Sequence, residues 1–377
     1  MEELLYKKIR IVSFQNAFNY GAVLQAYGLQ QTLRKFGFKD VRFINYKPNY
    51  LMNRYKIFHT DYINEIKQRF PSLKPILNLP FKWLAVFMRN KQFEKSIREL
   101  LAQTSVVYTD YTRVNEECDV LICGSDQIWN KEITREYDKM FFGYGNYTGL
   151  KKIISYAPST EVSSYNDKSI SEIAVLLLRF DKISVRESHF RNFLTKYTNL
   201  HINICIDPTL LCGRDEYDRI ASKRLIKNRY ILVYAYDPYS KFIQDIILTV
   251  PNSSEYEIHY IYFGAAGIGT FLNPCIHDIC SVNDFISLFK YASYTIVNSF
   301  HGLAFSLMFM KNFYVPYENG KFERCLSLLE IVGLTNRMIK RASDAEWEDI
   351  DYIGVNILID KQRKSSEDFL LNTLNNI

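Results

Sequence analysis

Short, β-rich apolar runs closed by turn residues alternate along this chain with longer stretches of helical periodicity. That alternation restricts it to βα units built around parallel sheets. Runs at 9–14, 41–45, 119–123, 153–157, 182–185 and 202–206 read as strands. The clearest helix spans 21–36, where Val23, Leu24, Tyr27, Leu33 and Phe36 share one face and Gly37 closes the end. After Asp207-Pro208 the polar stretch 212–229 reads as a connector. A second series follows, with strands at 230–235, 259–263, 295–298 and 314–316 between helices near 240–249, 282–291, 301–310 and 322–332. The 377 residues exceed what one compact core usually holds. The expected fold class is therefore α/β, with one Rossmann-like domain over 1–215 and a second over 216–345, facing each other across a cleft. Ligands of such sheets bind at the carboxyl ends of the strands, which locates the chemistry before naming it.

Charge narrows the function classes. The formal net charge is +6, and residues 51–100 carry ten Lys/Arg against four Asp/Glu, so the rest of the chain sums to zero. A local basic element on a neutral body argues against a protein that wraps nucleic acid. The seven cysteines are odd in number and no pair has C-x-x-C spacing, so thiols of a cytoplasmic protein are expected, with Cys123 and Cys205 as small hydrophobes. The opening Met1-Glu2-Glu3 is not the basic start of a signal peptide, and apolar runs stay far below the roughly 18 residues of a membrane span.

Candidate site residues lie where strands should end. The loop Asn16-Ala17-Phe18-Asn19-Tyr20-Gly21 runs into the first helix. It reads equally as a contact for an anion or sugar hydroxyl and as a turn with Asn19 as N-cap. Gly124-Ser125-Asp126-Gln127-Ile128-Trp129-Asn130 ends a strand in hydrogen-bonding side chains and an indole able to stack on a sugar. Its alternative is a capping Ser125 or Asp126 with Trp129 in the core. Arg186 has the planar fork that suits a carboxylate or phosphate, against an internal ion pair with Glu187 or Asp181. His301, in Asn298-Ser299-Phe300-His301-Gly302, opens an apolar helix whose N-terminus favours anions and lowers an imidazole pKa, which suits proton transfer. Lys321 and Arg324 stand near another helix start, where cations oppose the dipole and need a reason to be there. The run Gly264–Gly269 lacks both Rossmann spacing and a P-loop Lys. No His or Cys spacing points to a metal site, and no cofactor or metal is expected.

Taken in order, Asn19–Tyr27, Gly124–Asn130, Ser155-Tyr156-Ala157, Ser184-Val185-Arg186-Glu187, Asp207–Leu211 and Ser299-Phe300-His301-Gly302 resemble the motifs of the polysaccharide pyruvyl transferase family. The resemblance implies GT-B-like architecture, with the segment 346–377 crossing back to the first domain. It also implies transfer of an enolpyruvyl unit from phosphoenolpyruvate (PEP) to a sugar, closing a cyclic ketal and releasing phosphate. By that carry-over the catalytic residues are His301 and Arg186, and the PEP-binding residues are Arg186, His301, Lys321, Arg324 and Ser299. The acceptor-binding residues are Asn19, Tyr20, Gly21, Ser125, Asp126, Gln127, Trp129 and Asn130. One departure stands out: Ala157 is followed by Pro158-Ser159-Thr160 where relatives carry small residues and a Gly.

Two other classes compete: a nucleotide-sugar-dependent glycosyltransferase and a non-catalytic glycan-binding subunit. Acceptors in the resembling family are commonly lipid-linked, which bears on the basic segment. Over 79–93, Trp83, Leu84, Phe87 and Met88 fall on one helical face with Lys82 and Arg89 nearly opposite, and Lys91 and Lys95 follow. Residues 79–95 thus read as an element for peripheral contact with an anionic membrane, against a helix packed on the sheet with a solvated basic rim.

Overall fold

The computed structural model describes residues 6–55, 79–162, 165, 167–262, 273–317 and 322–375. Lys321 and the run Gly264–Gly269 lie outside the described residues, as does most of the basic stretch before residue 79. Strands β1 (Lys8–Val12), β2 (Asp40–Tyr46) and β3 (Gln103–Tyr108), with β5 (Val120–Cys123) and β7 (Lys152–Ser155), form a parallel sheet of order β3-β2-β1-β5-β7. A small parallel pair, β4 (Asn115–Glu117) and β6 (Asn146–Thr148), lies outside it. Strands β8 (Ile183–Val185) and β9 (Ile202–Ile204) extend the first sheet beyond β7 through the bridge Ile154–Lys182. Ser155 and Ser184 exchange hydroxyl-to-carbonyl bonds of 2.9 Å across that seam. The central β5, Val-Leu-Ile-Cys, is buried at every position, as a parallel strand covered on both faces must be.

The second sheet is also parallel: β11 (Glu257–Tyr262), β10 (Tyr230–Ala235), β12 (Tyr294–Val297), β13 (Asn312–Pro316) and β14 (Met338–Ile339), in that order. Two parallel α/β halves that share a cleft make the expected α/β, GT-B-like fold. Strand β3 is absent from the sequence reading because Val106 and Val107 are largely exposed, so its pattern does not alternate like the others.

Three features join the halves. Helix α1 (Tyr20–Lys35) of the first half sends Tyr20 to stack on Phe285 of the second, ring centroids 4.6 Å apart. The expected connector 212–229 is not a loop throughout. It contains the helix Arg214–Ile220, whose Tyr217 donates its hydroxyl to Leu24 O at 3.1 Å. Gly28 makes that packing possible, because a Cβ there would lie 2.4 Å from Pro208 O. The long terminal helix Tyr352–Asn375 lies against the first half, where Ser366 Oγ accepts Ile206 N–H at 2.9 Å and Arg363 Nε donates to Leu210 O at 3.0 Å.

Helix α2 (Leu79–Leu100) packs inward through Ala85, Phe93, Ser96 and Ile97, and Phe93 meets Phe18 and Tyr20. The face read from the sequence is not the packed one. Trp83, Leu84 and Phe87 remain 46%, 45% and 48% exposed. No helix among the described residues is long and apolar enough to cross a membrane.

Candidate active site

Because every strand of both main sheets is parallel, the carboxyl-end loops of each half gather on one edge. There, residues of both halves enclose a cavity of about 260 Å³, lined by Phe14, Asn19, Asp126 and Gln127 from one side and by Tyr236, Ser299, His301 and Arg324 from the other. Arg54 and Tyr55 complete one wall.

His301 sits in the first turn of helix α3 (Phe300–Met308), whose start is capped by Ser299 Oγ accepting Gly302 N–H at 3.0 Å. Burial pushes the imidazole below its ordinary 6.5; Asp207 and Asp126 oppose the shift, while Arg186 and Arg324 reinforce it. The ring is thus neutral near pH 7. Its Nε2 is buried without a hydrogen-bond partner, 3.9 Å from Asp207 Oδ2. Its other edge lies over Gly21, where an added Cβ would come within 2.1 Å of Nδ1.

Behind this ring is a buried charge network. Arg186 donates from Nε to Glu187 Oε1 (2.6 Å), from Nη1 to Asp207 Oδ2 (2.7 Å) and from Nη2 to Ser159 Oγ (2.8 Å). Its guanidinium lies 3.7 Å from the Phe300 ring centroid. Burial alone would lower the Arg186 pKa, yet Glu187 and Asp207 outweigh it and hold the side chain cationic. Asp207 caps the helix Pro208–Cys212 by accepting Thr209 N–H at 2.9 Å. Although its burial acts in the other direction, His301 and Arg186 hold its carboxyl below the usual range. Arg324, on the cavity wall, donates from Nε to the buried Glu161 at 2.8 Å.

The structure therefore sorts the sequence candidates. Asn19, Asp126, Gln127, Ser299, His301 and Arg324 line one cavity. Arg186 does not: it lies behind Phe300 with all three nitrogens turned inward, so the expectation of a direct PEP clamp is corrected to a buried ion pair. Trp129 is fully buried, stacked on Phe142 with Nε1 bonded to Phe141 O at 3.1 Å, so it offers no face to a sugar. Ser125 is buried and donates to Ala157 O, and Tyr20 donates to Cys280 O at 3.0 Å between the halves. Asn130 caps Lys131–Thr134 and donates to Gln127 Oε1 at 2.9 Å, while Asn19 combines its place on the wall with N-capping of α1. The loop after Ala157 anchors Arg186 through Ser159.

Asp207, Glu161, Tyr236, Arg54 and Tyr55 are absent from the sequence candidates. Tyr236 directly follows β10 and was findable from its strand end; Asp207 stood in the Asp207–Leu211 motif without a role assigned to it, and Glu161 gave no signal. The charge balance also differs from a simple cationic cleft. Asp126, Glu161, Glu187 and Asp207 offset Arg54, Arg186 and Arg324 within the site itself. Among the described residues no group of three His, Cys, Asp or Glu is placed to hold a metal ion.

A sequence model described as polysaccharide pyruvyl transferase matches residues 19–315 of the chain. No curated protein matches it. Among solved structures, it is similar to a functionally uncharacterised protein of Klebsiella pneumoniae, at 13% identity over 69% of this chain and 88% of that one, TM-score 0.38. It is also similar to the glycosyltransferase SnogD of Streptomyces nogalater, at 11% identity over 98% and 99% of the two chains, TM-score 0.33.

Proposed function

The chain belongs to the polysaccharide pyruvyl transferase family, and from that premise we propose that it moves the enolpyruvyl unit of PEP onto a sugar of a lipid-linked glycan. The observation that carries this reading is a single cavity joining the neutral imidazole of His301, at a helix N-terminus, with the Arg324 guanidinium. PEP brings a phosphate and a carboxylate. The partial positive charge of the α3 N-terminus and the Arg324 fork suit these anions. Lys321 stands in the reading as a further PEP-binding cation, by family resemblance alone.

The reaction needs an acid for the methylene carbon and a base for the sugar hydroxyl. Protonation of C3 makes C2 electrophilic, a hydroxyl oxygen bonds to C2, and the C2–O bond to phosphate breaks. A second hydroxyl then closes the ketal, and the proton it loses replaces the one delivered to C3. His301, neutral near pH 7, is suited to accept a hydroxyl proton. Asn19, Asp126 and Gln127 stand on the opposite wall, where they would orient the acceptor. Arg186 supports the site from behind by holding Asp207 and Phe300.

PEP at 100 times its Kd is expected to stabilise the native protein by about 2.7 kcal/mol, seen as a rise in Tm, and phosphate should appear when the acceptor is added. Protection by a sugar nucleotide and not by PEP would replace this reading with a glycosyltransferase.

The reading includes peripheral contact with an anionic membrane through 79–95, supported by the exposed Trp83, Leu84 and Phe87 beside Lys91 and Lys95. Co-sedimentation with anionic liposomes should be lost when Arg89, Lys91 and Lys95 are changed to Glu. Retained binding in that variant, or none in the parent, removes the contact.

A further inference from the structure

The buried Nε2 of His301 poses a question that the cavity alone does not answer. A polar nitrogen removed from water without a partner is costly, and structures rarely tolerate one without a reason. Asp207 Oδ2 faces it at 3.9 Å, about 1 Å beyond bonding distance. Catalytic hydrogen bonds are often long in the unliganded state and shorten when substrate binds.

We propose that Asp207 is the positioning carboxylate of His301, fixing the tautomer with its proton on Nε2 so that Nδ1 is the nitrogen that exchanges a proton with the acceptor hydroxyl. Electrostatics decides between the tautomers. With the proton on Nε2, an N–H dipole points at a fixed anion; with the proton on Nδ1, the Nε2 lone pair meets the oxygen lone pairs of Asp207. The carboxylate is well anchored for this task. Thr209 N–H holds Oδ1 and Arg186 Nη1 holds Oδ2, leaving acceptor capacity on Oδ2 for a second donor. Nδ1 lies against Gly21, where only a residue without a side chain leaves room for the imidazole in this orientation.

Asp207 follows β9 of the first half and His301 opens α3 of the second, so the pair exists only when the halves meet. In the proton transfer, the hydroxyl O–H pair forms the new C–O bond and its proton passes to Nδ1. The imidazolium stands against Asp207, then gives that proton to the departing phosphate. The other charged groups around the ring are Asp126, Arg186 and Arg324.

The assignment of the hydroxyl proton rests on the proposed reaction, whereas the tautomer does not. Long-range proton–nitrogen NMR of the full chain with labelled histidine reads the tautomer directly, with His301 identified by the signal lost in His301→Gln. The expected result is Nε2–H in the parent protein. In Asp207→Asn the His301 titration midpoint should fall, with phosphate release down by about 10⁴-fold at little-changed KM for PEP. Glu187→Gln, which loosens Arg186 without removing the Asp207 carboxylate, should leave the tautomer as it was. An Nδ1–H tautomer in the parent, or an unmoved His301 titration in folded Asp207→Asn, overturns the proposal. If that variant does not fold, the parent tautomer decides. Absence of PEP turnover with a correct tautomer would reject the reaction and leave the positioning role standing.

Discussion

Replacing His301 by glutamine is expected to lower phosphate release from PEP by about 10²–10⁴-fold, the range that a positioned general acid or base contributes. Glutamine keeps a polar, nearly isometric side chain in the turn after Ser299, so the N-cap bond to Gly302 N–H is untouched and the fold should survive. Thermal melting and PEP protection would establish that survival. The parent pH profile provides a second check. Since burial holds the imidazole below 6.5, the neutral base persists through pH 7, and activity should fall only as acidification reaches a midpoint below 6.5. That acid limb should vanish from the residual activity of the glutamine variant. A folded His301→Gln protein with parental turnover would end the assignment of His301, and with it the account of the cavity.

His301 was legible because its signal is local: a strand end, a polar turn, a glycine and an apolar helix within a few residues. The parallel strands were legible for a related reason, since β5 and β10 are runs of apolar residues that only a covered sheet accommodates. What was not legible depends on partners distant in sequence. Trp129 looks like a sugar platform among Asp126, Gln127 and Asn130, but Phe142 and Phe180 enclose it. Arg186 looks like an anion clamp until Asp207, 21 residues later, takes one of its nitrogens. Ion pairing with Glu187 or Asp181 was open from the sequence; the structure pairs Arg186 with Glu187, while Asp181 accepts Ile153 N–H at 2.8 Å. A site built from interleaved charges of both signs was likewise hidden, since net charge per segment says nothing about which carboxylate faces which guanidinium.

The dependence of the site on both halves has a sharper consequence at Gly21. Substitution by alanine in a helix is ordinarily favourable, yet here the new Cβ would lie 2.1 Å from His301 Nδ1 and 2.3 Å from Cγ. Such distances force a shift, and the ring has little freedom to give way, being buried between the two halves with Phe300 at its side. The expected outcome is a loss of about 10²-fold in kcat, the scale of a 1 Å misplacement, together with about 1–3 kcal/mol of stability from overpacking. The clash predicts its own relief. If the imidazole is what the methyl meets, adding Gly21→Ala to His301→Ala should cost almost no stability, so the two changes fail to add. Equal destabilisation by Gly21→Ala in both backgrounds would place the conflict elsewhere in α1 and show that Gly21 is not what leaves room for the imidazole.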